Sequence, residues 1–400
     1  MITALSLVHA LWQKHIGFYA GVPDSTLKSL CALLAYISAQ PRSSDASEEL
    51  QDLGVKYTIA ANEGNAVALC AGHYLATGQA GCVFMQNSGL GNCVNPLTSL
   101  TDPDVYSIPM LLIIGWRGAP QVHDEPQHAK QGRITLSMLD TLEIPFEVIS
   151  EADNDDSLFS KLSSLVQIMW QDLKTVALVI RPKSFAPLPP NVDSFVAAQS
   201  NGYVLYKYEA IAKLASLCSQ LHGQGKAVKI FASTGHIARE LFQVRAHQQQ
   251  THCNDFYCVG SMGHVSSIAL GYSMAHPQQQ VFVFDGDGAC LMHLGALYVI
   301  GAQDLPHFHH IVFDNAAHDS VGGQQISSEK VNYEAVARAL GYTQTCTVRT
   351  ITELEAAFES FSASGPSLMV VKVSKGAPSD LMRPDLTPVQ MKQLFMQDEQ

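Results

Sequence analysis

The chain has 400 residues, of which 47% are hydrophobic and only 15% are charged, so it can bury the cores of about two domains. Its net charge of −12 argues against nucleic acid as a partner. The sequence contains no uninterrupted apolar run of about 18 residues and no basic segment at its start, so neither a membrane span nor a signal peptide is predicted.

The cysteines and histidines give no sign of a zinc site. Nine cysteines are scattered without a CxxC pair, and the sixteen histidines form no HExxH pattern. Cysteines spread in this way are typical of reduced thiols, which predicts a cytoplasmic protein.

The first half of the chain alternates strand-like and helix-like segments, the pattern of a parallel α/β sheet. The predicted strands are Phe18–Ala20, Tyr57–Ala61, Gly81–Gln86, Met110–Ile114, Phe146–Ile149 and Val176–Ile180. Asp24 and Ser25 follow the first strand and Glu63 follows the second. On sequence alone, Glu63 could simply be an acidic residue that is favoured at a helix start.

A cationic segment follows the fourth strand. Its sequence predicts a loop, in which the cationic residues are Arg117, His123, His128, Lys130 and Arg133. Asp124 and Glu125 lie among them. Such a cluster can bind an anion, because arginine and lysine form charge-assisted hydrogen bonds with anionic oxygens. A solvated polar loop is the alternative interpretation.

Residues 182–202 differ in composition from both flanking regions. They contain four prolines and several serines without apolar periodicity, which predicts a linker between a domain at 1–181 and a domain at 203–400. The second half then repeats the α/β pattern. Its predicted strands are Ala227–Ala232, Phe256–Val259, Val281–Phe284, His309–Phe313 and Leu368–Val373, and a short helix is predicted at Thr387–Phe395.

Two strand ends in this second half predict an anion and metal site. The strand Val281–Phe284 ends at Asp285-Gly-Asp-Gly288, and glycines there allow a close approach of the backbone to a ligand. A helix, Leu291–Gln303, is predicted next, and the following strand ends at Asp314-Asn315. Because the carboxyl ends of neighbouring parallel strands meet at one edge of a sheet, Asp287 and Asn315 are expected side by side. Their oxygens suit Mg²⁺ that holds a diphosphate.

These residues resemble a known family. Gly286-Asp-Gly288, a helix and Asp314-Asn315 resemble the thiamine diphosphate (ThDP) signature of the ThDP-dependent decarboxylases. The segments 21–25, 115–118, 123–128 and 315–324 resemble the phosphonopyruvate and sulfopyruvate decarboxylase types in particular. The resemblance implies two parallel-sheet domains, which bind the cofactor pyrimidine (1–181) and diphosphate (203–400). The middle domain of larger relatives is absent, in agreement with the short linker.

The resemblance also implies an activity. It is the non-oxidative decarboxylation of 3-phosphonopyruvate to phosphonoacetaldehyde and CO₂ through a ThDP ylide, in phosphonate biosynthesis. The alternative is a decarboxylase of sulfopyruvate or of another 2-oxo acid. Because the two functions of sulfopyruvate decarboxylase are usually carried by separate subunits, the single chain favours phosphonopyruvate. A non-catalytic ThDP-binding protein is a further alternative, against which the intact Glu63, Asp287 and Asn315 argue.

Each role that the resemblance implies falls on particular residues. Glu63 would hydrogen-bond the pyrimidine and promote ylide formation, and the Gly260 carbonyl and Met262 would hold the bent cofactor, although Met262 could equally fill the core. The cofactor-binding residues are Glu63, Thr234, Gly235, Gly260, Met262, Asp287, Gly288, Ala289 and Asn315. The Mg²⁺ ligands are Asp287, Asn315 and the Ala317 carbonyl.

The substrate side is predicted in the same way. Asp24, Ser25, Arg117, His123, His128 and Lys130 are expected to line the substrate cavity. His318 and Asp319 are expected to relay protons, although His318 could instead be a backbone-bonded loop residue. The resemblance further implies a homodimer or homotetramer with the sites at the subunit interface.

Overall fold

The computed structural model describes residues 1–39, 53–198, 201–361 and 365–397. The chain divides into two compact units, Met1–Gln199 and Ser200–Gln400. Residues 199 and 200 of the predicted linker lie outside the described residues, as do 40–52, 362–364 and 398–400 of the predicted domains. Within the described ranges, each unit contains a six-stranded sheet in which all strands are parallel, so the expected two-sheet α/β architecture is confirmed.

The first sheet has the strand order β2-β1-β3-β4-β6-β5. Its strands are β1 (Phe18–Gly21), β2 (Lys56–Ile59), β3 (Gly81–Gln86), β4 (Met110–Gly115), β5 (Phe146–Ile149) and β6 (Thr175–Ile180). The helices of this unit are α1 (Ala4–Trp12), α2 (Lys28–Ala39), α3 (Glu63–Thr77), α4 (Leu90–Ser99), α5 (Pro126–Thr141), α6 (Asp155–Gln171) and α7 (Pro190–Ala198). Every residue of β4 and β6 is buried, because helices cover both faces of a parallel sheet.

The second sheet lies in the second unit, and a two-stranded sheet accompanies it. The strands are β7 (Val228–Ala232), β8 (Asp255–Tyr257), β9 (Gln280–Gly286), β10 (Phe308–Asp314), β11 (Ala317–His318), β12 (Gln324–Gln325), β13 (Gln344–Val348) and β14 (Ser367–Lys372). The helices are α8 (Lys207–Gly223), α9 (His236–His247), α10 (Val265–Ala275), α11 (Asp287–Met292), α12 (Ala296–Gly301), α13 (Tyr333–Ala339), α14 (Ile351–Phe361) and α15 (Pro388–Gln397).

The two sheets share one topology. Read from its other edge, the second sheet has the order β8-β7-β9-β10-β14-β13, in which each strand takes the place of one strand of the first sheet. Thus β2 corresponds to β8, and the helices that follow them, α3 and α10, correspond as well. In such sheets, ligands bind at the carboxyl ends of the strands.

Several elements differ from the sequence-based predictions. The segment predicted as a loop contains the start of α5 at Pro126, and residues 190–198 of the predicted linker form a helix, α7. The single helix predicted at 291–303 is two short helices, α11 and α12, separated by residues 293–295. The strand β13 was not predicted. None of the helices in the described ranges is both long and apolar enough to span a membrane.

Candidate active site

The end of β9 places Asp287 as the first residue of α11. Its side chain is buried, and its Oδ1 accepts a hydrogen bond from the Gly288 amide at 2.7 Å. Its Oδ2 accepts from the Ala316 amide at 2.8 Å and from Ser328 Oγ at 2.9 Å. Since Ala316 directly follows Asn315, the segments that carry Asp287 and Asn315 are adjacent, as their places on neighbouring parallel strands predict.

Asn315 and Ala317 present oxygen atoms beside Asp287. The Asn315 Nδ2 donates to Asp319 Oδ2, and Asn315 Oδ1 accepts from the Ala317 amide at 3.1 Å. The Ile326 amide donates to the Ala316 carbonyl at 2.9 Å, so these two residues form a hydrogen-bonded pair. In an antiparallel ladder such pairs alternate with pairs that do not bond to each other, and the next pair, Ala317 and Gln325, is of the second kind. The Ala317 carbonyl is therefore turned away from β12 and can serve as a ligand.

The charges at this edge of the sheet favour a cation. Asp314 is fully buried and forms an ion pair with Lys372. Burial, and then the neighbouring Asp314, raise the pKa of the Asp287 carboxyl. Two buried carboxylates thus lie side by side, both accepting from Ser328 Oγ, and Lys372 pairs with Asp314. A carboxylate, an amide oxygen and a backbone carbonyl are the donor types that Mg²⁺ accepts alongside phosphate and water, so these residues fit a Mg²⁺–diphosphate group.

Gly288, Met262 and His318 lie together. A Cβ atom on Gly288 would lie 2.7 Å from His318 Cε1 and 3.5 Å from Met262 Cε, so glycine is required for this close approach. Met262 is half-buried beside Gly288. Burial lowers the pKa of His318 to about 4, which leaves its imidazole neutral at physiological pH.

The loops after β7 and β8 complete this edge of the second sheet. Thr234 and Gly235 directly precede α9, and Gly235 has a φ of +91°, which favours glycine. A Cβ on Gly235 would lie 3.3 Å from Ser320 Oγ, so this loop approaches the segment after β11. The Gly260 carbonyl follows β8 and accepts a hydrogen bond from Cys258 Sγ at 2.9 Å. Ala289, in the first turn of α11, is buried.

In the first unit, Glu63 is the first residue of α3 and is 5% exposed. Its Oε2 accepts a hydrogen bond from Asn92 Nδ2 at 2.7 Å. A Cβ on Gly89 would lie 2.6 Å from Glu63 Oε1, so a glycine at 89 lets the carboxylate pack closely against the turn after β3. The carboxylate is thereby held in one orientation at the carboxyl edge of the first sheet.

Arg117 is held by two loops at the same edge. Its Nε and Nη2 donate to Asp124 Oδ2 and Oδ1 at 2.8 and 2.5 Å, and its Nη1 donates to Ser25 Oγ at 2.8 Å. Burial raises the pKa of Asp124, but the hydrogen bonds from Arg117 and from two backbone amides outweigh it and lower this pKa well below its usual range. The guanidinium is therefore already paired with an acid in this structure.

Asp24 lies next to this pair and is fully buried. Its Oδ1 accepts from the Thr26 amide at 2.9 Å, whereas its Oδ2 has no hydrogen-bond partner among the described residues. Burial raises its pKa to about 6, although the positive Arg117 opposes this shift. Asp24, Ser25 and Arg117 thus form one polar group.

The remaining cationic residues of the predicted cluster are not all brought together. His128 is buried, and its pKa is lowered first by burial and then by the charge of Arg117. His123 is exposed in the loop, and Lys130 and Arg133 are exposed on α5. The prediction that 117–133 is a single loop is therefore wrong, because the helix that begins at Pro126 turns Lys130 and Arg133 to solvent.

Some residues that hold this site were missed by sequence reasoning. Asn92 orients Glu63, and Asn201 Nδ2 donates to the carbonyls of Asn315 and Val373 at 2.8 and 2.9 Å. Lys207 Nζ lies 3.5 Å from Asp319 Oδ2. No signal in the sequence marks these three residues, since a single asparagine or lysine is common on any surface.

Comparisons with known proteins identify a matching domain in each of the two units. Residues 3–141 match the thiamine pyrophosphate enzyme N-terminal TPP binding domain, and residues 233–371 match the corresponding C-terminal TPP binding domain; thiamine pyrophosphate is the same compound as ThDP. A phosphonopyruvate decarboxylase of Streptomyces viridochromogenes is 32% identical over 99% of this chain and 94% of its own. Another, of Streptomyces hygroscopicus, is 30% identical over 99% and 93%. A sulfopyruvate decarboxylase of Methanosarcina acetivorans is 27% identical over 89% and 87%.

Proposed function

The chain belongs to the phosphonopyruvate decarboxylase family of thiamine pyrophosphate enzymes, and from that premise we propose that it converts 3-phosphonopyruvate into phosphonoacetaldehyde and CO₂, a step in phosphonate biosynthesis. The observation that carries the proposal is the identity of 32% and 30% to two phosphonopyruvate decarboxylases along nearly the full length of each chain. In this reaction a carbon–carbon bond breaks, CO₂ leaves, and a proton takes its place.

The residues of the second unit fit the diphosphate end of ThDP. Asp287, Asn315 and the Ala317 carbonyl would hold Mg²⁺, and the backbone of Gly288 and Ala289 in the first turn of α11 would face the diphosphate. Thr234 and Gly235 would contact it from the loop after β7. When bound, ThDP supplies a nucleophilic carbon and takes up the electron pair that CO₂ leaves behind.

Two side chains are placed to handle protons. Glu63, fixed by Asn92 and packed against Gly89, offers a buried carboxyl group that can hold a proton against the cofactor pyrimidine. His318 places a neutral imidazole over Gly288, next to Met262, where one ring nitrogen would donate the proton that replaces CO₂ while the other takes up a proton from water. Met262 and the Gly260 carbonyl support the cofactor from the loop after β8.

The substrate phosphonate would bind at the Arg117 group. Pyruvate and phosphonopyruvate share the reacting 2-oxo acid, so selectivity has to come from a cation that meets the phosphonate. Arg117 is mostly buried, lies at the carboxyl edge of the first sheet and points its Nη1 at Ser25. His128 and Asp24 would complete the pocket wall, and His123 and Lys130 would contribute only at its solvent side.

Sulfopyruvate is the second candidate substrate. The sulfopyruvate decarboxylase of Methanosarcina acetivorans matches 89% of this chain within one polypeptide. The presence of both domains in one chain therefore does not distinguish a phosphonopyruvate from a sulfopyruvate decarboxylase, contrary to the sequence-based argument. The lower identity of 27% leaves phosphonopyruvate favoured.

The active protein would be a homodimer or homotetramer whose sites combine Glu63 of one chain with Asp287 of another. The corresponding helices α3 and α10 support this proposal, because each exposes an apolar stripe centred on a glycine. The stripes consist of Leu69, Gly72 and Leu75, and of Ile268, Gly271 and Met274. A Cβ on either glycine would meet no atom within 4 Å from the described residues beyond its own stretch of helix, so a second helix can approach closely there.

Subunit mixing tests this arrangement. Glu63→Gln and Asp287→Ala proteins, each inactive alone, should regain partial activity after exchange, and no recovery despite demonstrated exchange would show that each site is built within one chain. Gly72→Leu should shift sedimentation towards smaller species. Gly223→Leu, at an equally open helical glycine, is the matched control.

The free cysteines agree with a reducing compartment. All nine are free thiols and seven are buried, so we expect a cytoplasmic location. Fractionation of the source cells checks this expectation.

The substrate is tested by steady-state kinetics with ThDP and Mg²⁺ on phosphonopyruvate, sulfopyruvate and pyruvate. The proposal predicts the highest kcat/KM for phosphonopyruvate. A preference for sulfopyruvate would select the second candidate, and a preference for pyruvate would overturn the assignment of the Arg117 group.

A further inference from the structure

Asp319 lies between the metal-binding segment and a buried pair of charges. Its Oδ2 accepts hydrogen bonds from Asn315 Nδ2 and, at 3.0 Å, from the Gly376 amide. Lys207 Nζ lies 3.5 Å from the same oxygen. All three contacts fall on Oδ2 and fix the position of the carboxylate beside Asn315.

The partner that Asp319 orients is an amide with two unlike ends. Mg²⁺ binds oxygen and not an NH₂ group, so Asn315 can act as a ligand only in one of its two flipped orientations. An ionised carboxylate only accepts hydrogen bonds, and it therefore selects the orientation in which Nδ2 faces Asp319. The Ala317 amide, which donates to Oδ1, favours the same orientation.

Lys207 in turn is held in place by Glu240. Lys207 is 5% exposed at the start of α8, Glu240 is fully buried in α9, and Lys207 Nζ lies 3.4 Å from Glu240 Oε1. Lysine and glutamate are almost never buried unless they are paired. The lysine can therefore reach Asp319 without the entropy that a free surface lysine would lose.

We propose that Asp319, supported by Lys207 and Glu240, is a positioning residue that holds the Asn315 amide with its oxygen towards the diphosphate metal. This inference rests on the proposed use of Mg²⁺ and ThDP but not on the identity of the substrate. It assigns to Lys207 and Glu240, which are not among the expected metal ligands, a role in Mg²⁺ affinity.

The test is a titration with Mg²⁺ in which ThDP binding is measured by calorimetry. The thermal unfolding midpoint of the cofactor-free protein measures whether each variant is folded. Asp319→Ala should raise the Mg²⁺ concentration for half-saturation by about 10- to 100-fold, the usual effect of losing a partner of a metal ligand. Binding of ThDP at saturating Mg²⁺ should change much less. Asp319→Asn should also be impaired, because an amide at position 319 can accept from Nδ2 or, when flipped, donate to the wrong end of Asn315.

The support from α8 is tested with a charge-neutral pair of changes, because a single Lys207 variant would leave Glu240 buried alone. Lys207→Met/Glu240→Gln should raise the Mg²⁺ requirement about 10-fold. The matched control is Lys213→Met/Glu355→Gln, which removes an ion pair of 2.8 Å between α8 and α14 and should leave the Mg²⁺ requirement unchanged.

Wild-type Mg²⁺ dependence in Asp319→Ala would overturn the inference. So would a loss of ThDP capacity at saturating Mg²⁺ together with a lowered thermal midpoint, since that pattern marks a purely structural role. A wild-type protein that binds ThDP but decarboxylates none of the 2-oxo acids would refute the proposed function, while the Asp319→Ala comparison would still decide this inference.

Discussion

Replacing Arg117 by methionine should separate phosphonopyruvate from the other 2-oxo acids. The Arg117 and Asp124 side chains are only 22% and 10% exposed, so the pair is largely removed from water. A phosphonate bound to Arg117 would form a charge pair that is equally removed from water, and truncating one partner of such a pair costs about 2–4 kcal/mol of binding. The variant should therefore lose about 30- to 900-fold in kcat/KM for phosphonopyruvate, since 1.36 kcal/mol corresponds to a factor of ten.

The assay is steady-state release of CO₂ from three substrates. Pyruvate presents a methyl group in place of the phosphonate and should be affected much less, and sulfopyruvate, with one charge fewer, should fall between. In Arg117→Met the Asp124 carboxylate loses its partner, and the double variant Arg117→Met/Asp124→Asn controls for that effect. The double variant should show the same loss of kcat/KM for phosphonopyruvate. Lys130→Met, at an exposed position of α5, should lie within about twofold of wild type. Equal losses on all three substrates would show that Arg117 is structural and would refute the reasoning.

Three further predictions concern single residues, Asp287, Glu63 and Asp24. Asp287→Ala should lose tight Mg²⁺-dependent ThDP binding and keep its fold, and wild-type affinity in calorimetry would remove Asp287 from the metal site. Glu63→Gln should bind ThDP but lose most turnover, because an amide cannot pass a proton; a near-normal kcat would contradict this role. Asp24 has its pKa raised from 3.8 to about 6, so the folded protein retains a proton that the unfolded chain releases. The free energy of unfolding should therefore fall by about 3 kcal/mol as the pH rises from below 4 to above 6. Urea unfolding at pH 4 and 7 should show this loss in the wild-type protein but not in Asp24→Asn.

The central strands of both sheets could be predicted because their sequences are mostly continuous apolar runs. The strand β4, Met-Leu-Leu-Ile-Ile-Gly, is buried along its whole length, as an apolar run in a parallel sheet predicts. The position of Asp287 beside Asn315 then follows from the order of parallel strands. In contrast, β13, Gln-Thr-Cys-Thr-Val, lies at a sheet edge and is half-buried, so it lacks the apolar run that would have revealed it.

The start of α5 could not be predicted for a different reason. Its buried face begins with His128, Gly132 and Thr135 instead of large apolar residues, so the usual helical periodicity is absent. Gly132 is buried because α5 packs against Gly118. A Cβ on Gly132 would lie 1.7 Å from the Gly118 carbonyl oxygen. Such a contact depends on the three-dimensional path of the chain.

The charged support of Asn315 was equally hidden. Lys207 and Glu240 lie on helices whose sequences resemble those of surface helices, and only the fold shows that both side chains are buried and paired. Sequence reasoning could find the residues that meet the cofactor, because they follow strand ends in recognisable motifs. It could not find the residues that hold them.

The central claim, ThDP-dependent decarboxylation of phosphonopyruvate, is tested most directly by identifying the products by ³¹P NMR while CO₂ is trapped. The protein with ThDP and Mg²⁺ should convert phosphonopyruvate into phosphonoacetaldehyde with one CO₂ for each molecule consumed, and omission of either ThDP or Mg²⁺, or the Glu63→Gln change, should abolish both products. Unchanged phosphonopyruvate in the complete mixture, or an aldehyde that forms without ThDP, would contradict the account.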